Sequence, residues 1–121
     1  MKERISKFLR ILKIELEDLE EDISTLAELT EERRQQHAIT EYVSMENISL
    51  LRQEFSGIKA VVERLDSMQL DSSQSFQDFV DSLKRQIKEV IISSAYPDAV
   101  NIFIERKIQK VADYFEHNVV Q

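Results

Sequence analysis

The chain has 121 residues, enough for one domain with a continuous core, and contains no cysteine, so disulfide frameworks and thiolate chemistry are excluded. Apolar residues at 42% and charged residues at 32% place it with ordinary folded proteins rather than disordered or membrane-spanning ones. A net charge of −7 argues against general affinity for nucleic acid, which needs a basic surface.

One glycine and one proline in the whole chain leave long helices as the simplest reading. The first helix is expected over about residues 3–36. Leu9, Leu12, Leu16, Leu19, Ile23 and Leu26 step by three and four, which puts them on one stripe that must be buried. Apolar positions fade through Thr30-Glu31-Glu32-Arg33-Arg34-Gln35-Gln36, with no glycine or proline to mark the end. A single unbroken helix over 3–69, in an oligomeric coiled-coil bundle, is therefore the alternative. A second helix over about 40–69 starts at Thr40, a good N-cap, and carries Ile48, Leu51, Phe55, Ile58, Val62 and Leu65 in the same rhythm. Asp71-Ser72-Ser73-Gln74 supplies a stop and restart, with Asp71 or Ser72 as cap of a third helix over about 72–94.

The third helix places Phe76, Val80, Leu83, Ile87 and Val90 on one stripe flanked by Phe79 and Ile91. Pro97 suits the first turn of a fourth helix over about 97–117, burying Val100, Ile104, Ile108, Val111 and Phe115. Val90-Ile91-Ile92 and Ile102-Phe103-Ile104 are β-branched enough for strands, but both lie inside longer helical periods. The fold class is all-α: a single-domain, four-helix up-down-up-down bundle with long first and second helices.

Charge position predicts the register. Residues 1–14 hold five bases and one acid, and residues 15–32 hold nine acids and no base. Folding four antiparallel helices at about 1.5 Å per residue sets Asp18 level with Arg85 and Arg106. The acidic belt then faces Lys84, Arg85, Lys88, Arg106, Lys107 and Lys110, while the basic N-terminus faces Glu63, Asp66, Asp71, Asp78, Asp81, Asp113 and Glu116. The same arithmetic leaves residues from about 30 to 46 projecting roughly 13 Å past the shorter second hairpin. Ala38, Ile39, Tyr42, Val43 and Met45 on that tip form the candidate protein interface, with Tyr42 as anchor.

Catalytic patterns are missing from the sequence. His37 and His117 are the only histidines, and neither completes the Glu-x-x-His of a di-iron bundle, because Arg34 and Tyr114 stand three residues before them. Asp113 and His117 share a helix face at i, i+4, a spacing that more often means a solvated pair than a metal site. Gly57 stands alone, without the glycine-rich loop that cradles a phosphate. No catalytic residue, cofactor, metal or small-molecule substrate is expected. The reading is a non-enzymatic, cytoplasmic protein–protein interaction module of adaptor, chaperone-like or scaffold type, binding a protein partner or itself as a homo-oligomer. The alternatives are a peripheral membrane protein, using the basic amphipathic segment 1–14 with Ile5, Phe8, Leu9 and Leu12 on its apolar side, and a small helical enzyme or metal-binding bundle.

Overall fold

The computed structural model describes residues 2–68 and 75–119. Four helices follow in order: α1 Lys2–Gln35, α2 Glu41–Leu65, α3 Phe76–Ser93 and α4 Asp98–Val119. They form a four-helix bundle with no strand among the described residues, and both β-branched runs lie within α3 and α4. The continuous helix over 3–69 does not form, because the chain breaks between Gln35 and Glu41.

That break is built from main-chain hydrogen bonds. At the end of α1, the Ala38 amide donates to the Arg33 carbonyl at 2.9 Å and the His37 amide to Arg34 at 3.1 Å. His37 takes φ of 60°, the left-handed conformation that lets these two bonds satisfy the last carbonyls of a helix. The same device ends α3: Tyr96 donates to Ile91, Ala95 donates to Ile92, and Ala95 takes φ of 56°. Glycine fills this role in most proteins, since a Cβ is crowded there. Starts are capped by side chains: Thr40 Oγ1 accepts from the Val43 amide and Ser75 Oγ from the Asp78 amide, both at 3.2 Å. The caps expected at Asp71 or Ser72 lie outside the described residues, and α3 begins at Phe76, after Ser75.

Neighbouring helices form a ring of α1, α2, α3 and α4, with α2 also touching α4 across it. The core follows the ladders up to a limit. Ile5, Phe8, Leu12, Leu16 and Ile23 of α1 are buried, as are Ile58, Val61, Val62 and Leu65 of α2. Val80, Leu83 and Ile87 of α3 join them, together with the flanking Phe79 and Ile91, and so do all five positions expected of α4. Above Ile23 on α1 the ladder fails: Leu26 is 51% exposed, because no helix stands opposite it.

Two features fix the shorter hairpin, α3–α4, against the longer one. At the lower end Phe8 is enclosed by Phe76, Phe79 and Phe115, with ring centroids 5.2 to 5.8 Å away, and Arg4 lies 4.0 Å over the Phe76 ring. At the upper end Gly57 is a notch. A Cβ there would stand 3.0 and 3.1 Å from the two Val100 methyls and 3.1 Å from Tyr96. The antiparallel register agrees with charge position, for Glu15 accepts from Lys107 at 3.1 Å and from Lys110 at 3.0 Å. Lys13 approaches Asp66 at 3.8 Å, as the basic N-terminus requires. Lys84 instead donates to Gln109.

The backbone at Ala95 and Gly57 makes stability respond to single substitutions in opposite directions. Ala95→Gly removes the Cβ penalty of the left-handed cap and raises stability by about 1 kcal/mol, read as a higher melting temperature. Gly57→Ala gains helix propensity of about 1 kcal/mol but drives a methyl into Val100, whose rotamer is locked in a helix. The net result is a lower melting temperature, and Val100→Ala in the same chain recovers part of the loss; equal melting temperatures in Gly57→Ala and the parent would show the notch to be unimportant.

Candidate functional site

The α3–α4 hairpin ends well below the α1–α2 turn. Tyr96 and Val100 sit level with Gly57, and the last buried residue of α1 is Ile23. Ser24 to Gln35 therefore projects by about 18 Å at 1.5 Å per residue, more than the 13 Å expected. Helix α3 has only 18 residues and begins at Phe76, four positions after the restart expected near residue 72.

Heptad spacing decides which way the projecting side chains face, since seven residues return a helix to within about 20° of the same direction. Phe8 and Glu15 meet α4, and Asp22 and Leu29 continue their row. Leu12 and Leu19 pack into the core, and Leu26 continues theirs. On α2, Gly57 meets α4, and Leu50 and Val43 continue upward from it. Leu26, Leu29, Val43 and Leu50 are all exposed, at 41 to 51%. They form the face that α3 and α4 would cover if those helices were longer. The opposite seam, between α1 and α2, is closed: Ser44 stands in the row of Leu51, Ile58 and Leu65 and is buried.

The five tip residues expected from sequence do not gather on one surface. Ala38, Ile39 and Val43 line a shallow depression with Arg34 and His37 at the turn itself. Met45 lies on the flank of α2, lining a cleft of about 720 Å³ with Ile48, Arg52, Tyr96 and Pro97. Tyr42, 69% exposed, sits between them and donates its hydroxyl to Glu46 at 2.8 Å. Of the five, only Val43 belongs to the uncovered face. Leu26, Leu29 and Leu50 are the residues that sequence reasoning misses, because their spacing is that of core.

At the foot of the step lies Glu54, one turn above Gly57 and buried. Among the described residues no hydrogen bond or ion pair reaches its carboxylate, and desolvation pushes its pKa above the usual value. Glu20 is also shifted upward, first by burial and then by repulsion from Glu17. Glu15 goes the other way: the hydrogen bond from Lys110 lowers it most, and Lys107 adds to this against the cost of burial.

The two histidines lie at opposite ends of the bundle. His37 forms the α1 cap, and His117 places Nδ1 2.7 Å from the main-chain oxygen of Asp113, whose carboxylate accepts from Gln109. Among the described residues no group of three or more histidines and carboxylates is arranged to hold a metal ion, and no helix is long and apolar enough to cross a membrane. The apolar side of segment 1–14 is engaged in the bundle, where Ile5, Phe8 and Leu12 are buried. Comparison with protein families, with curated proteins and with solved structures returns no match.

Opposite pKa shifts give opposite pH dependences. Glu54 is raised when folded, so its own contribution is most favourable below the ordinary carboxylate pKa of 4.5 and is lost as pH rises through the folded value. Glu54→Gln is therefore more stable than the parent at neutral pH, and the difference closes in acid. Glu15 is lowered, so its contribution is present above 4.5 and lost as pH falls through the folded value. Glu15→Gln is less stable at neutral pH, by up to about 1 kcal/mol for so accessible a cluster, and this difference also closes in acid. Melting curves of the three chains between pH 3 and 8 check both signs.

Proposed function

We propose that this chain is a non-enzymatic, helical protein-interaction module of the cytoplasm that docks other helices on the uncovered face of its α1–α2 hairpin. The observation that carries the reading is the continuation of two core-type rows, through Leu26, Leu29, Val43 and Leu50, about 18 Å past the hairpin that covers them lower down. Such an unpartnered apolar face costs free energy in water at about 25 cal/mol per Å² and regains it on burial. Its anchors have the spacing that a helix-on-helix contact uses. The lack of cysteine suits a reducing compartment.

A photoreactive side chain placed at position 26 or 50 in cells tests this. Adducts of defined mass are expected at both positions and not at Ile92, a still more exposed apolar residue on α3 outside the face. A chain that gives no adduct at 26 or 50, or the same adducts at 92, does not use this surface.

A further inference from the structure

The step above the α3–α4 hairpin has a definite shape. Its wall is two antiparallel helices wide, about 20 Å, and about 18 Å tall. Its floor is the Ser94–Pro97 turn, and its top is the His37 turn. The body that fills it must itself be two helices wide, about 18 Å long, apolar on one side and ended by a blunt turn. The projecting part of α1 and α2 has those dimensions and that apolar side.

We propose that the occupant is a second copy of this chain, inverted, so that the two projecting hairpins pair face to face and complete a four-helix layer between two bundles. The inference rests on the reading of the overhang as a docking face and names its partner. A two-fold axis perpendicular to the helices sets α1 against α1 of the other copy and α2 against α2, both antiparallel. With each tip seated above the other copy's Ser94–Pro97 turn, the regular rise puts the axis between Leu29 and Thr30 on α1 and within about one turn of Leu50 on α2. Leu50 then meets Leu50 of the other copy, and Leu26, Leu29 and Val43 close the layer around it.

Area and charge both favour this occupant. A face of about 18 Å by 20 Å is smaller than the roughly 800 Å² that each partner buries in a standard interface. A partner touching the face alone would leave the contact small. A second copy adds two end contacts, one at each tip, and so uses the floor of the step as well as its wall. The same register brings Arg33, near the tip of one copy and in the row of Leu26, level with Glu54 at the foot of the other. Glu54 is a mostly buried residue whose carboxylate keeps contact with solvent and takes no hydrogen bond or ion pair among the described residues of its own chain. The pairing sets a cation level with it, on the adjoining helix, at both ends.

The absence of cysteine makes the geometry directly testable, since any thiol introduced is the only one present. Sedimentation equilibrium of the parent across the micromolar range is expected to show a reversible dimer. Leu26→Glu with Leu50→Glu should yield a monomer that keeps its helical circular dichroism, both side chains being half exposed. Under mild oxidation Leu50→Cys should form a covalent dimer, whereas Ala38→Cys, at the tip and far from the axis, should not. A parent that stays monomeric overturns self-pairing; photo-adducts with other proteins at positions 26 and 50 would then leave the docking face itself standing. A dimer that survives the double glutamate change is held by another surface and overturns this pairing, and the docking face is then decided by the adducts at positions 26 and 50. Cross-linking of Ala38→Cys as readily as Leu50→Cys overturns the inverted arrangement, because only a parallel or tip-to-tip pair brings the turns together.

Discussion

The ring of Phe8 is held by three other phenylalanines from α3 and α4, and 49 residues further along, the bare Cα of Gly57 lies against Val100 and Tyr96. These contacts, near the two ends of the short hairpin, set its height on the long one. Neither is strong alone, since an aromatic pair adds about 0.5 to 1.5 kcal/mol beyond its burial and the notch merely removes a clash. Together they are specific. Sliding the short hairpin up by one turn would pull Phe76 and Phe115 off Phe8 and drive Val100 against a residue with a Cβ. Lys107 and Lys110 would then leave Glu15 as well. The step, its exposed leucines and the partial burial of Glu54 all follow from that height.

The height also divides the molecule energetically. Below Ile23 and Gly57 all four helices contribute to the core, and most inward side chains are buried. Above them α1 and α2 pack chiefly on each other, with the Ser94–Pro97 turn reaching only the flank of α2. Local opening free energy scales with such contacts, so the upper hairpin exchanges its amides more readily than the lower bundle. A partner that covers the upper hairpin would therefore order it as well as bind it, and part of the gross docking energy goes into that ordering.

Much of this was legible in the residues. The two leucine-rich ladders, the cap at Thr40, Pro97 ahead of α4 and the inverted charge blocks point to four antiparallel helices and to their register. Other features were not, for identifiable reasons. The ends of α1 and α3 carry left-handed caps on His37 and Ala95, and a reader searching for glycine passes over both. Gly57 looks like an isolated weak point in a helix until Val100 is known to arrive there. Tyr42 and Met45 attract notice because they are apolar near a turn. Leu26, by contrast, belongs to a ladder that is buried or packed against the core at every earlier step. What turns it outward is the ending of a different hairpin, a fact of tertiary structure that no window around residue 26 contains.

The separation between covered and uncovered halves gives the overhang a property of its own. Nothing in the four-helix core depends on how far α1 and α2 continue past Ile23 and Gly57, provided the two continue equally. Matched insertion or deletion of seven residues in each would move the His37 turn by about 10.5 Å along the axis while keeping every apolar row on its side. The hairpin is thus an adjustable spacer, and its length is free to follow the dimensions of whatever it joins.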